Sequence, residues 1–374
     1  MPLIILVGQG YLFALILFLR YFREKKTSDL ILALFLVITG IRCTAYMIGF
    51  MGWYDDFRNT KINYFLIDFS LILGPVVYFY VKSVTHPDFR FKKKDIWHAV
   101  PWLAYCALQA FIYIYDSQQP GFNEVQNGIL YEKINFNIGI YMLILGIISR
   151  SVYFYHAAKI FYEFRNKIKE FFSNTYKVEL NWLRNFLVVY LGLFILRIGF
   201  IATNQLLVQM SWTQNWWWYL IASMVLVYLG MMGIFADLGR LAELKFVESG
   251  SDLEKNSEAE ELLPLKEKVE TYMEDEKVFL NADLTLTELS KMVGIPSNQL
   301  SKVINSCFGK NFNDFVNAYR VEQVKEALSD PAFSHFSILG IAFECGFNSK
   351  ATFNRVFKRI TGHSPSEYVS LEKN

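Results

Sequence analysis

Lys350, Asn354, Arg355, Lys358 and Arg359 recur at helical spacing within GFNSKATFNRVFKRITG, residues 346–362, and no acidic residue interrupts them. Phe353, Val356 and Phe357 fall on the opposite face, so the polar set points outward from an amphipathic helix. Ser349 stands where such a helix needs its N-cap. One chemistry suits this face. Arg or Lys can donate to guanine, Asn can pair with adenine, and Lys or Ser also holds phosphate in a DNA groove. A solvated basic helix in an ordinary bundle would carry the same residues, so a single face leaves both readings open.

An upstream stretch weakens the bland reading. LTLTELSKMVGIPSNQLSKVINSCFGKNF, residues 284–312, can be laid over FSILGIAFECGFNSKATFNRVFKRITGHSP, residues 336–365, at an offset of about 52 residues. Each copy has a small residue (Ser290 or Ala342), then a glycine (Gly294 or Gly346), then an apolar residue (Ile295 or Phe347). A polar helix start follows, and a second glycine, Gly309 or Gly362, closes that helix. A helix-turn-helix needs a small residue where its helices cross and often a glycine in its short turn. Leu300 and Val303 would point inward in the first copy, leaving Asn298, Ser301, Lys302 and Asn305 outside. Between the copies, NDFVNAYRVEQVKEAL reads as one helix that Pro331 ends. At ~1.5 Å per residue it spans about 25 Å, a strut able to hold two recognition helices about one DNA turn (~34 Å) apart.

Ala342, Gly346–Phe347, Ser349, Phe353, Arg355, Phe357–Lys358, Gly362, Ser364–Pro365 and Tyr368 closely resemble the signature of AraC-type transcription regulators, over residues 265–370. The resemblance implies two helix-turn-helix units reading successive major-groove segments of double-stranded DNA, and contact with RNA polymerase at promoters. By position, Asn298, Ser301 and Lys302 match base- or phosphate-contacting positions of the family's first recognition helix. Lys350, Thr352, Asn354 and Arg355 match those of the second. Pro296 stands where the family often has a capping Ser, Lys302 where Arg is common, and Val369 where Arg is usual. The family's usual sugar-binding barrel has no counterpart here, so sugar binding does not carry over. Acidic residues before Leu289 outweigh the lysines of the tail, so DNA affinity should rest on the local helix faces and on a homodimer.

The rest of the chain has a different composition. Hydrophobic residues make up 53% and aromatics 17%, while charged residues are only 19%, below the ~25% of soluble domains. The excess lies before residue 239. Seven stretches approach the ~20 apolar residues a lipid-spanning helix needs: 2–19, 29–51, 62–84, 96–115, 135–161, 183–203 and 216–237. The first has no basic residues before it and no small-residue cleavage site, and is read as a retained span. Loops rich in Lys and Arg (20–26, 90–94 and 159–177) alternate with poor ones. By the positive-inside rule this predicts a multi-pass protein of the inner (cytoplasmic) membrane, its N-terminus outside and its tail in the cytoplasm. Trp212 and Trp216–Trp218 fit an outer interfacial belt.

Arg42, Asp68, Arg150 and Arg197 fall inside these spans. One reading is an outward-facing pocket for an anionic signal ligand. The other is an Asp68–Arg pair that fixes packing, with the remaining arginines reaching an interface. The expected fold is therefore all-α. A seven-helix transmembrane bundle (1–238) and an acidic flexible linker (239–264, its joint marked by Ser249, Gly250, Ser251 and Asn256) precede a cytoplasmic DNA-binding domain (265–374). The domain's two helix-turn-helix units, 284–309 and 336–362, are joined by a linker helix. Past Pro264, the residues Leu265, Val269, Met273 and Tyr272 share one helix face, expected to pack on that domain.

The expected function is a one-component transcription regulator embedded in the lipid bilayer. The alternative is a membrane transporter or enzyme with a regulatory DNA-binding tail. The bundle has no H-E-x-x-H, no G-x-S-x-G and no clustered carboxylates, so no catalytic residue is assigned. It shows no inverted repeat either, although Gly74–Pro75 interrupts the third span. Cys43, Cys106, Cys307 and Cys345 lack ligand spacing, and neither a metal nor a cofactor is expected.

Overall fold

A computed structural model describes residues 2–50, 61, 64, 68–86, 88–123, 126–173, 181–236 and 259–372. The named elements among these residues are all helices. They divide into two compact units: Met1–Tyr162 with Asn181–Ala242, and Glu163–Leu180 with Glu243–Asn374.

The first unit is built from α1 (Pro2–Glu24), α2 (Thr27–Phe50), α3 (Ser70–Thr85), α4 (Val100–Ser117), the first part of α5 (Ile129–Phe171), α6 (Asn181–Ala202) and α7 (Trp212–Phe235). Among the described residues, five stretches are long and apolar enough to cross a membrane: Pro2–Glu24, Thr27–Ile48, Asn137–Phe171, Asn181–Leu207 and Gln214–Phe235. The expected third and fourth spans are not in this set. Asp68 Oδ1 accepts from Ser70 N at 2.7 Å, so a carboxylate stands at the start of α3 and not inside it. The resulting 16-residue helix is about 24 Å long, short of a ~30 Å hydrocarbon core. α4 begins with Pro101 in its first turn and ends at Asp116–Ser117.

Asp116 starts the next helix. It is 0% exposed and accepts from Leu130 N at 2.8 Å and Tyr131 N at 3.0 Å, while the Tyr64 hydroxyl donates to it at 2.9 Å. A carboxylate at a helix N-terminus satisfies orphan N–H groups and the helix dipole. α5 therefore begins earlier than the expected residue 135. At its other end α5 continues beyond 161 to Phe171, because Arg165, Lys167 and Lys169 are good helix formers and suit a helix C-terminus.

α1 packs on both α2 and α7, through glycines. A Cβ on Gly230 would stand 2.7 Å from Phe13 Cβ, and one on Gly40 2.9 Å from Tyr11 Cε1. Such close backbone approach is how apolar helices gain packing energy where water is absent. Arg20 closes the same three-helix set. It holds Asp29 in two bonds of 2.6 and 2.7 Å and donates to the carbonyls of Ile234 (2.6 Å) and Gly233 (3.0 Å). The orphan carbonyls at the end of α7 are thereby satisfied by a side chain of α1.

The second unit contains α8 (Ala259–Glu274), α9 (Leu286–Val293), α10 (Ser297–Phe308), α11 (Phe312–Ser329), α12 (Ile338–Glu344), α13 (Lys350–Thr361) and α14 (Pro365–Glu372). It has two cores. Val269 and Met273 of α8 join Leu289, Leu300, Val303 and Phe315 in the first, with Leu265 and Tyr272 packed against it, as the expected shared face requires. Val321 and Val324 join Ala342, Phe353 and Phe357 in the second. α11 thus gives its first half to one core and its second half to the other. α8 starts before Pro264 and carries that proline within it. The residues expected to form the flexible joint, Ser249, Gly250, Ser251 and Asn256, lie outside the described residues.

Phe171 packs on the first core, and the chain after it is pinned to the same unit. Ser173 N donates to Leu284 O at 3.2 Å, and Asn313 Nδ2 donates to Ser173 O at 2.6 Å. Arg320, 1% exposed, donates from Nε to Phe279 O (2.8 Å) and from Nη2 to Asn281 O (2.7 Å) and Ser173 Oγ (3.2 Å). Burial pushes its pKa down to about 10, so it remains a cation at neutral pH. Gly346 lies against the same place, with φ +88°. A Cβ there would be 2.6 Å from Phe279 O and 2.9 Å from Arg320 Nε. Gly346→Ala should therefore destabilise the second unit by more than the ~1–2 kcal/mol of the left-handed backbone alone. Hydrogen exchange on the full chain should show faster opening at Phe279–Asn281 and α12, with α1–α4, α6 and α7 unchanged.

Candidate nucleic-acid interface

Each half of the second unit is a helix, a glycine turn and a second helix. In the first, Thr285 accepts from Glu288 N at 3.2 Å and Glu288 Oε2 from Thr285 N at 2.9 Å, a reciprocal cap that starts α9. Gly294 ends α9 in the left-handed region at φ +70°. Ser290 Oγ and Ser297 Oγ, 2.8 Å apart, join the two helices where a small residue was expected. α10 starts at Pro296 with no side-chain cap, in keeping with the proline that stands where a capping Ser is usual. In the second half Ser337 caps α12 and accepts from Gly340 N at 3.0 Å. Gly346 makes the turn, and Ser349 caps α13 by accepting from Thr352 N at 3.5 Å.

Leu300, Val303 and Ile304 bury one face of α10, and Asn298, Lys302 and Asn305 are exposed on the other, with Ser301 half-buried beside them. On α13, Phe353, Val356 and Phe357 are buried, while Lys350, Asn354, Arg355 and Lys358 are exposed. Lys350, Arg355 and Lys358 form no ion pair among the described residues. The face of α13 therefore offers positive charge outside any ion pair, together with an amide, the groups that hold phosphate and read base edges.

Two residues of the expected set sit differently. Thr352 is 7% exposed and lies on the buried side of α13, apart from the polar face. Ser349 is half-buried and already occupied as a cap. Arg359, which the helical spacing put on the same face, turns instead toward α11, where its Nη2 donates to Asp314 Oδ1 at 2.6 Å. Asp314 also accepts from Asn311 Nδ2 at 2.9 Å. α13 is thus tied to the start of α11. Sequence spacing carries no sign of this pairing, since its members are 45 positions apart.

Charges in and beside the apolar helices also converge. Arg42 Nη1 lies 3.7 Å from Asp68 Oδ1, which is the pair the packing reading calls for. Arg42, Arg150 and Arg197 together line one cavity of about 100 Å3, and Asp68 is not part of its wall.

Residues 289–370 match the model of the helix-turn-helix domain family. An uncharacterized HTH-type transcriptional regulator of Staphylococcus aureus (strain COL) is 36% identical over 92 residues, 25% of this chain and 12% of that protein. A counterpart in strain N315 has the same identity and coverage. The melibiose operon regulatory protein of Escherichia coli (strain K12) is 28% identical over 90 residues, 24% of this chain and 29% of that protein. The chain spans only 12% of the length of the staphylococcal relatives. No solved structure matches the chain. The matched stretch coincides with the two glycine-turned units and the strut between them, which makes residues 289–370 a helix-turn-helix domain of AraC type.

Proposed function

We propose that the chain is a membrane-embedded one-component transcription regulator, with double-stranded DNA read by α10 and α13 and the reading controlled by a signal at the helices of the first unit. The observation that carries it is the pair of exposed polar faces held by one strut. Asn298, Lys302 and Asn305 stand on α10, and Lys350, Asn354, Arg355 and Lys358 on α13. Each helix is fixed to α11 through a shared core. Arg355 is assigned to guanine, Asn354 to a base edge, and Lys350 and Lys358 to phosphate. A homodimer would double the contacts and fit a two-fold DNA site. Contact with RNA polymerase belongs to the same reading.

Control requires that a stimulus bind two states differently. α5 supports such control, because it is one continuous helix from Ile129 to Phe171 and its last residue packs against the core that positions α10. The basic stretches at 20–26 and 159–177 fall on one side of the five candidate spans, which supports an inner-membrane topology with the N-terminus outside and the DNA-binding unit in the cytoplasm.

Gel-shift measurements on the full chain in nanodiscs, with a site selected from random DNA, should show Arg355→Ala weaker by ~1–3 kcal/mol and relaxed at one position of the site. Lys358→Ala should weaken all sequences alike and lower the salt slope by about one. Thr352→Ala should leave sequence preference unaltered. Selection that returns no preferred sequence would sink the DNA-reading assignment. For topology, a fluorescent protein fused after Asn374 should fluoresce and alkaline phosphatase fused there should be inactive; an active phosphatase would reverse the orientation.

A further inference from the structure

Four helices bring polar groups to the wall of the cavity of about 100 Å3: Arg42 from α2, Arg150 from α5, Tyr190 and Arg197 from α6, and Tyr219 from α7. Guanidiniums among apolar helices are costly unless each finds a partner. Arg42 has Asp68. Arg150 and Arg197 form no ion pair among the described residues. Aromatic faces hold them instead, with the Arg150 guanidinium 5.5 Å from the Phe194 ring centroid and that of Arg197 5.4 Å from Trp218. Stacking fixes the plane of a guanidinium but leaves its in-plane N–H donors free for a carboxylate. Arg150 Nε and the Tyr190 hydroxyl are both buried without a hydrogen-bond partner, and Tyr190 is only 6% exposed. Buried donors are normally satisfied. Among the described residues here the cations outnumber the one carboxylate, which calls for an anionic acceptor.

Size and lining narrow the ligand further. Phe35, Leu73 and Leu193 make much of the remaining wall apolar. The volume is below the ~150 Å3 that accommodates benzene in an engineered cavity. We propose that this cavity binds a small organic carboxylate, with its charged end at Arg150, Arg197 and Tyr190 and its apolar body against the aromatic and aliphatic wall. An inorganic anion would leave that wall unfilled, and a neutral molecule would leave the arginines uncompensated. The pocket's role as a signal site rests on reading the first unit as the sensor, whereas the binding itself rests on the geometry of the cavity alone.

The full chain in phosphatidylcholine nanodiscs is titrated calorimetrically with propionate and with butyrate, and with butan-1-ol as the uncharged control. At least one carboxylate should bind saturably, and butan-1-ol at least tenfold more weakly. Arg150→Gln should weaken the carboxylate tenfold or more. Tyr190→Phe, which removes one hydroxyl and keeps the packing, should weaken it by roughly three- to tenfold. Absence of carboxylate binding at millimolar concentrations, equal binding of the alcohol, or unchanged affinity in Tyr190→Phe would each overturn the site. Discs containing phosphatidylglycerol test a lipid source, and a response to that lipid with none to either carboxylate would also overturn it. Gel shifts on the same preparations separate the two readings. Intact DNA binding without carboxylate binding removes the pocket and leaves the regulator. Carboxylate binding that never alters DNA affinity keeps the pocket and counts against the sensor.

Discussion

A guanidinium buried without a carboxylate organises the second unit. Arg320 makes no ion pair among the described residues, and the backbone carbonyls of Phe279 and Asn281 take its charge instead, with Asn317 and Ser173 on its flanks. A charge in that position is tolerable only because its donors are used, and charge-assisted bonds to carbonyls are among the stronger ones a fold can make. The consequence is geometric. One side chain of α11 sets the turn that follows α8, the entry into α9 through Leu284, and the position of the segment after α5. Gly346 can make its close approach only because that turn is held still.

The first unit is held by other means. Close backbone approach and a few polar contacts join its helices. Gly40 and Gly230 let α1 approach its neighbours until a methyl group would collide with a ring. Arg20 then joins three helix ends at one point, with Asp29 1% exposed beneath it. Against this background Arg150 and Arg197 stand out. Arg20 is compensated at every donor group it presents to α2 and α7, whereas the cavity arginines are steadied by rings and left short of acceptors.

The DNA-binding unit was legible in the sequence because its punctuation is local. Gly294, Gly309, Gly346 and Gly362 all adopt the left-handed backbone that their spacing implied, and the inward residues of α10 and α13 follow from helical period alone. What stayed hidden depends on partners far along the chain. Arg320 reads as one more solvated residue on a polar helix. Arg359 reads as part of a basic face until Asp314 is beside it. Thr352 sits at a position the family resemblance marks for contact, yet the helix turns it inward. In the apolar half, hydropathy found helices but not their ends. Asp68 and Asp116 act as helix starters, which shortened one expected span and lengthened another, and the basic end of α5 looked like a loop because charge was read as solvent exposure.

α11 is shared between two cores, and that sharing decides what can be inherited. A break anywhere in the strut would expose Val321, Val324 and Ala327 on one fragment or Phe312, Phe315 and Val316 on the other. Neither fragment would be a viable piece to exchange between genes. Recombination can therefore trade the whole block or nothing, while whatever precedes it is free to differ. The family match has this form, running over residues 289–370 and so across both halves, and the relatives share stretches of 90 to 92 residues with the chain.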